Sequence, residues 1–291
     1  MTEERAAADE RPRSGPAQDA AAYLAENQGL WDEWTAIHET SAFYDLDGFR
    51  AGGIRIRPYE LEDIGSVVDQ SVLHLQCHFG IDTLSFARLG ARVTGADFSP
   101  AAIDLAGRLA VELGFPEARF IRSRLDELPD VLDEQFDLVY TSRGVLGWLP
   151  DIRVWARVVA RFVKPGGRFY ITEIHPVANV FENEGVQPGE LDLRYPYWEH
   201  RDPLSFPVQG SYADPTAEVK ATTEHGWDHG LGEIVTALID AGLEIRSLRE
   251  YPFVEWKLDF LEERGDDRWY LPGELDERLP LFFSLLATKP G

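Results

Sequence analysis

Short apolar segments alternate with segments of helical periodicity between residues 71 and 173, and this alternation limits the possible folds more than any other feature. Strands are predicted at residues 71–75, 92–96, 118–121, 136–141 and 168–173, and helices at residues 81–89, 101–113 and 152–162. Ser99 and Pro100 provide an N-cap and a first-turn proline for the second helix. Strands joined by helices pair in parallel, so the sequence predicts an α/β fold, a Rossmann-like doubly wound sheet with helices on both faces.

The alternation stops at residue 177 and resumes at residue 231. Residues 177–230 are dense in Pro, Tyr, Trp, His and Asp without a clean period, and we interpret them as an insertion that forms a substrate lid. A helix at residues 231–241 and strands at residues 243–249 and 281–287 follow. Two closing strands without a helix between them predict an antiparallel edge. The core is therefore expected to comprise residues 71–176 and 231–291.

The segment before the core is of two kinds. Residues 1–20 are rich in Ala, Glu, Arg and Pro and have no apolar periodicity, which predicts a disordered tail. Residues 21–42 carry apolar and aromatic side chains at a spacing that predicts two short helices, each with one apolar face. We expect residues 21–70 to form an N-terminal helical cap segment.

Composition excludes several functional classes. The 291 residues, 44% of them hydrophobic, favour a single domain with an insertion. A net charge of −23 repels phosphate backbones and anionic lipid surfaces, so neither a nucleic acid nor a membrane is expected as a partner. Cys77 is the one cysteine, and no apolar segment approaches the roughly 20 residues of a membrane span, so we expect a cytoplasmic protein. We expect it to be a monomer or a homodimer.

The loops after the predicted strands carry the candidate ligand-binding residues. In sheets of this type, ligands bind beyond the carboxyl ends of the strands. The first loop, residues 76–80, retains only Gly80 of the glycines that a dinucleotide loop needs, so a ligand without a pyrophosphate fits better. Asp97 ends the second strand, where a carboxylate can accept hydrogen bonds from two ribose hydroxyls, and Phe98 offers a ring to a base. The pair indicates a nucleoside.

Four stretches together resemble a known family: residues 72–80 (VLHLQCHFG), 93–99 (VTGADFS), 136–139 (FDLV) and 164–167 (KPGG). They are similar to the class I S-adenosylmethionine-dependent methyltransferases, in particular the small-molecule branch with a ubiquinone/menaquinone-methylase-like core. The first loop and the aromatic N-terminal segment resemble a largely uncharacterised bacterial group within it. The family usually has an acid where His74 stands and glycines where Gln76 and His78 stand.

The resemblance implies a strand order of 3-2-1-4-5-7-6 with strand 7 antiparallel, and S-adenosyl-L-methionine as the cofactor, converted to S-adenosyl-L-homocysteine. It implies cofactor contacts from the first loop, the ribose loop, the adenine loop, the end of the fourth strand and the cap segment. The residues are Gln76, Cys77, His78, Gly80, Asp97, Phe98, Ser99, Arg124, Leu125, Thr141, Trp31 and Tyr44.

The acceptor side is predicted from aromatic and titratable side chains, because methyl transfer needs positioning, exclusion of water and sometimes a base. Candidate substrate contacts are Trp148, Tyr197, Trp198, Tyr212, His200 and His225. Glu173 and His175 follow the fifth strand and are the candidate general bases. An alternative is a metal site formed by Glu173, His175, His225 and His229, although no metal is expected.

The sequence thus predicts an S-adenosylmethionine-dependent methyltransferase that acts on a small molecule, with O, N, S and C all open as the accepting atom. A protein that binds the cofactor or its product without transferring the methyl group is the alternative, and the altered first loop motivates it. A protein or nucleic-acid methyltransferase is disfavoured by the acidity of the chain.

Overall fold

The computed structural model describes residues 20–265 and 267–291. Its helices are α1 (Ala20–Thr40), α2 (Leu46–Arg50), α3 (Pro58–Ile64), α4 (Ile81–Arg88), α5 (Pro100–Glu112), α6 (Leu128–Val131), α7 (Ile152–Phe162) and α8 (Leu231–Asp240). Its strands are β1 (Ser71–Leu75), β2 (Arg92–Asp97), β3 (Arg119–Arg122), β4 (Phe136–Ser142), β5 (Val163–Ile174), β6 (Leu204–Pro207), β7 (Thr223–Gly226), β8 (Glu244–Tyr251), β9 (Phe253–Val254), β10 (Glu262–Glu263), β11 (Trp269–Tyr270) and β12 (Phe282–Thr288).

Seven strands form the central sheet in the order β3-β2-β1-β4-β5-β12-β8. The pairs among β1 to β5 are parallel, and β12 runs antiparallel to both β5 and β8. Since β8 and β12 are the sixth and seventh strands of this sheet along the chain, the predicted order 3-2-1-4-5-7-6 is confirmed. The order reverses between β1 and β4, and this is where a doubly wound sheet binds ligands.

Alternate residues of the strands pack against the two helical layers. On one face, Leu73, Val139 and Phe169 belong to a cluster that includes Trp155 of α7 and Leu238 of α8. On the other face, neighbouring residues such as Val72 and Leu138 pack with side chains of α3 and α4. Because successive side chains of a strand point to opposite faces, both faces of these strands are apolar, as the continuous hydrophobic runs predicted.

Local signals fix the helices that border the ligand edge. Ser99 is the N-cap of α5, where its side chain accepts a hydrogen bond from Ala102 N, and Pro100 is the first helical residue. Asp151 caps α7 in the same way by accepting from Arg153 N. These caps set the residue at which each helix begins. Both helices begin beside the edge of the sheet that carries the site.

The N-terminal region differs from the prediction. One helix, α1, replaces the two short helices expected at residues 21–42, and it contacts α5 and β7. Leu30, Trp34 and His38 are buried four residues apart along its length, so packing compensates for the roughly 1 kcal/mol that Gly29 costs a helix interior. Residues 1–19 of the predicted disordered tail lie outside the described residues, and Ala20 begins α1.

Two regions contain strands that the sequence pattern did not reveal. Residues 177–230 include the antiparallel hairpin of β6 and β7, and the segment between β8 and β12 includes the small sheet β10-β11-β9. These strands are two to four residues long, which is too short for an alternating pattern to stand out. None of the described helices has the length and apolar composition needed to span a bilayer.

Candidate functional site

A cavity of about 530 Å³ lies at the carboxyl ends of the central strands, where the strand order reverses. Its wall combines the loops after β1, β2, β3 and β4 with side chains of the N-terminal segment and of the insertion. Most of the residues predicted to bind a ligand line it: Trp31, Tyr44, Gln76, Cys77, His78, Gly80, Asp97, Phe98, Arg124, Leu125, Trp148 and Tyr212.

The first loop, between β1 and α4, has left-handed backbone at three residues. Gly80 has a φ of 78°, and a Cβ there would lie 2.5 Å from a ring atom of Phe120, so only glycine fits. Gln76 and His78 have φ values of 56° and 50°, a conformation that costs an L-residue with a side chain roughly 1–2 kcal/mol. Strain of this kind is typical of functional sites.

The side chains of Gln76 and His78 each leave one polar atom without a partner. Gln76 Nε2 donates to Val145 O at 3.0 Å, while its Oε1 is buried with no hydrogen bond among the described residues. His78 Nε2 lies 2.8 Å from His38 Nδ1, while His78 Nδ1 is buried and also has no hydrogen bond among the described residues. Both residues line the cavity, so a ligand can satisfy these atoms.

His38 is a residue of this site that sequence analysis missed. It belongs to α1, and its Nε2 lies 2.6 Å from Ser211 Oγ in the insertion. Burial lowers the pKa of His38 to about 3, and burial together with the neighbouring His38 holds the pKa of His78 well below its usual range. The two imidazoles are therefore neutral near pH 7, and they link α1, the first loop and the insertion.

Asp97 ends β2 at the rim of the cavity. Its Oδ2 accepts from His78 N at 2.8 Å, and its Oδ1 accepts from Ser99 N at 2.9 Å. Burial raises the pKa of Asp97 to about 6, although these backbone hydrogen bonds oppose the change. Each oxygen keeps a lone pair for a further donor, which is the arrangement that a pair of vicinal hydroxyls requires.

The part of the cavity beyond Asp97 is apolar. Phe98 and Leu125 line it together with Leu149, Val154 and Trp155. Arg124 also lines the cavity, but its guanidinium is paired with Asp126 at 2.7 Å. A flat aromatic ring fits between such side chains.

Aromatic side chains from distant segments cover the cavity. The ring of Trp31 lies 5.3 Å from that of Trp148 and 6.4 Å from that of Tyr212. Tyr44 and Tyr212 bring their hydroxyl oxygens to 2.5 Å from each other. The N-terminal segment and the insertion therefore meet at the same wall of the cavity.

A charged cluster at the opposite end was not predicted as a group. Arg143, which has a positive φ of 42°, forms ion pairs with Glu60, Asp82 and Glu255. Arg57 pairs with Glu255 at 3.1 Å. Burial raises the pKa of Glu60 to about 7 although Arg143 opposes it. Arg57 and Glu60 are three residues apart in the capping box of α3, but the other members are far apart in the sequence and no local pattern relates them.

The structure corrects two of the predicted cofactor contacts. Thr141 is fully buried within β4 and does not line the cavity, whereas Ser142, Arg143 and Gly144 do. Ser99 is buried, and its hydroxyl donates to Asp32 at 2.6 Å while capping α5, so it shapes the loop without lining the cavity.

Glu173 and His175, the predicted general bases, do not line the cavity either. The carboxylate of Glu173 accepts from the backbone amides of residues 144, 145, 146 and 174 at 2.5–3.1 Å. His175 Nδ1 accepts from Val177 N, and its Nε2 lies 3.0 Å from Glu250 Oε1. The carboxylate of Glu173 therefore holds the loop after β4, and His175 Nδ1 holds the turn that follows β5.

Four predicted substrate contacts also lie off the cavity: Tyr197, Trp198, His200 and His225. Tyr197 accepts a hydrogen bond from Leu231 N and Trp198 is 54% exposed. His225 is buried between Ser205 and Glu26, at 2.8 Å from each. The alternative of a metal site finds no support, since the described residues contain no suitable group of His, Cys, Asp and Glu.

Comparisons of sequence identify a domain within the chain. Residues 73–171 match a family profile described as a methyltransferase domain. The ubiquinone biosynthesis O-methyltransferase of Serratia proteamaculans is 32% identical over 139 residues, covering 46% of this chain and 57% of that protein. The protein of the same name from Albidiferax ferrireducens is 31% identical over 171 residues, covering 58% and 64%. The matches thus span less than two thirds of either relative.

Comparisons of structure extend the likeness beyond that domain. An S-adenosylmethionine-dependent methyltransferase from Mesorhizobium loti superposes with a TM-score of 0.53 at 21% identity, covering 86% of this chain and 99% of that one. A putative enzyme of the same description from Listeria monocytogenes gives a TM-score of 0.55 at 16% identity, covering 80% and 97%. At these identities the likeness establishes the fold.

Proposed function

We propose that this chain, which carries a class I S-adenosylmethionine-dependent methyltransferase domain, transfers the methyl group of S-adenosyl-L-methionine to a small-molecule acceptor. The observation that carries the proposal is Asp97, a buried carboxylate at the end of β2 that lines the cavity and accepts one backbone hydrogen bond on each oxygen. A carboxylate at this point of a doubly wound sheet binds ribose hydroxyls.

The residues present fit this cofactor. Asp97 would hold the ribose, and Phe98 and Leu125 would contact the adenine in the apolar part of the cavity. The unpartnered His78 Nδ1, beside the amide that donates to Asp97, offers the ligand a further hydrogen bond. The absence of a glycine-rich dinucleotide loop agrees with a ligand that has no pyrophosphate.

The chain's own contribution to the reaction would be positioning and exclusion of water. The bound cofactor supplies a methyl group on a positively charged sulfur. Aromatic faces such as those of Trp31, Trp148 and Tyr212 stabilise a cation and keep water out of the cavity. Burial and His38 hold the pKa of His78 well below its usual range, so this imidazole is a weak base and its proposed role is to position the ligand.

Binding is tested by calorimetry with S-adenosyl-L-homocysteine on the wild type, Asp97→Asn and Asp104→Asn. Asp104 is an exposed residue of α5 outside the cavity, and its substitution is the matched control. Asp97→Asn should weaken binding by about 2–4 kcal/mol, because charged hydrogen bonds to the ribose are lost. Asp104→Asn should bind like the wild type. Absence of binding by the wild type, or equal binding by all three proteins, would contradict the proposal.

Transfer itself is tested by incubating the protein with methyl-labelled cofactor and a fractionated extract of small metabolites. Label should appear in a small molecule together with S-adenosyl-L-homocysteine. The alternative is a protein that binds the cofactor without transferring its methyl group. It is favoured by the first loop, where Gln76 and His78 hold positive φ values and carry side chains at positions where the family usually has glycine. Tight binding of the cofactor without formation of S-adenosyl-L-homocysteine in any fraction would support that alternative.

Three further predictions belong to the proposal. The acceptor is a small molecule, since the cavity is covered by Trp31, Trp148 and Tyr212. The high negative charge argues against nucleic acid as the acceptor. A cytoplasmic location and a monomeric or homodimeric state stay predictions from the sequence.

A further inference from the structure

The cavity extends past the ribose site toward a charged end. From the loops after β3 and β2 it continues across the loop after β1 to the loop after β4, following the order of the strands. If adenosine lies over the loops after β3 and β2, the remainder of the ligand lies over the loops after β1 and β4. The groups there are Arg55, Arg57, Asp82, Arg143 and Glu255.

Arg55 differs from the other arginines at this end. Arg57 and Arg143 are each paired with Glu255, at 3.1 and 2.8 Å. The guanidinium of Arg55 donates to Phe43 O at 3.1 Å, but no carboxylate lies within ion-pairing distance of it among the described residues. Arg55 therefore presents a cation with unused donors at the cavity wall.

Asp82, at the start of α4, presents the opposite charge. Its Oδ2 accepts from Ser142 Oγ at 3.2 Å and from Arg143 at 3.0 Å, and no hydrogen bond reaches its Oδ1 in the described part of the chain. Gln76 Oε1, on the adjacent loop, is a second acceptor without a partner. Two acceptors and an unpaired guanidinium thus line one end of one cavity.

Asp82 is kept ionised. Burial opposes the charge on this carboxylate, but Arg143, His74 and Arg55 outweigh burial and hold its pKa below the usual range. His74 takes part from β1, where its Nδ1 lies 2.9 Å from Thr83 Oγ1. An ammonium group near Asp82 would therefore meet a full negative charge.

We infer that Arg55 and Asp82 form a binding site for an α-amino acid zwitterion. Arg55 binds the carboxylate, and Asp82 together with Gln76 Oε1 binds the ammonium. An isolated carboxylate or an isolated amine would satisfy only one of the two. The inference rests on the proposed function, since it assigns the amino-acid end of the proposed cofactor to side chains of the cap segment and of α4.

The test compares two ligands that differ only in this end. S-adenosyl-L-homocysteine has the zwitterion, whereas 5′-methylthioadenosine has the nucleoside and the sulfur without it. Calorimetry with both ligands is carried out on the wild type, Arg55→Gln, Asp82→Asn and the matched control Arg57→Gln, an arginine of the same wall that already has a carboxylate partner.

Arg55→Gln and Asp82→Asn should each weaken S-adenosyl-L-homocysteine binding by about tenfold or more, since each removes a charge-assisted hydrogen bond. Binding of 5′-methylthioadenosine by the same variants should stay within about twofold of the wild type, because the nucleoside contacts remain. This second ligand also reports that the variants are folded. Arg57→Gln should leave the ratio of the two affinities unchanged.

Equal losses for both ligands, or no loss for S-adenosyl-L-homocysteine, would overturn the assignment while leaving the proposed function intact. A change of the affinity ratio in Arg57→Gln and none in Arg55→Gln would also overturn it. Failure of the wild type to bind either ligand would instead contradict the proposed function, on which the inference depends.

Discussion

Asp97 should make ligand binding depend on pH in a range where few carboxylates titrate. Burial raises the pKa of Asp97 to about 6 in the free protein. In the proposed complex, ribose hydroxyls donate to the ionised carboxylate, so a proton on Asp97 must leave before the nucleoside binds. With a pKa of about 6, the fraction ionised is roughly one tenth at pH 5 and nine tenths at pH 7.

The expected result is an affinity for S-adenosyl-L-homocysteine about tenfold lower at pH 5 than at pH 7. At pH 6, binding should release about half a proton per ligand. Titration calorimetry at each pH, in two buffers of different ionisation enthalpy, measures both quantities. The free energy of unfolding of the free protein changes in the opposite direction. Because the pKa of Asp97 is higher in the folded than in the unfolded state, its contribution to stability is full below the unfolded pKa and is lost as the pH rises through 6.

Two variants separate Asp97 from other groups that titrate nearby. Asp97→Asn should remove the pH dependence along with most of the affinity. Burial also raises the pKa of Asp228 to about 6, but Asp228 does not line the cavity, so Asp228→Asn should keep the wild-type profile. An affinity that stays constant between pH 5 and pH 7, or an unchanged slope in Asp97→Asn, would refute the reasoning.

Three further predictions concern the scaffold of the site, each measured as the free energy of unfolding in denaturant. Glu173→Gln should destabilise by about 2–4 kcal/mol, because an amide oxygen cannot replace a carboxylate that accepts four backbone hydrogen bonds; a loss below about 0.5 kcal/mol would count against this role. Gly80→Ala should lower the free energy of unfolding by about 2–4 kcal/mol, since the added Cβ would meet Phe120 and the φ of this residue is positive. Gly107→Ala on α5, where an added Cβ meets nothing, is the control and should be neutral or stabilising. Ser99→Ala should cost about 1–2 kcal/mol through the lost cap of α5, and an unchanged midpoint would show that Asp32 or water replaces it.

The ligand edge of the sheet could be predicted because its signals are local. The cap at Ser99 and Pro100 and the acid at Asp97 occupy consecutive positions after an apolar strand, and neighbours along the chain stay neighbours in the fold. Gly80 follows the same rule, since the turn into α4 needs a positive φ.

The functions assigned to Glu173 and His175 could not be predicted correctly by the same rule. The rule places residues at the correct edge, but it does not say which polar groups their side chains meet. Glu173 accepts from three backbone amides of the loop after β4 and from Ile174 N, and His175 lies beside Glu250 on β8. Once these atoms are paired, neither residue remains for the cavity.

Periodicity, caps and strand-end residues act over a few positions, so they predict the parallel sheet and the polar residues at its ligand edge. The strand order followed from the resemblance to a known family. The remaining contacts of the site depend on how distant segments pack. Arg55, Asp82 and Arg143 meet at one end of the cavity, and His38 meets His78, because the reversal of strand order and the packing of α1 bring together segments that are distant in the sequence. Charge and hydrogen bonding between such segments depend on distance in space, which no local pattern encodes.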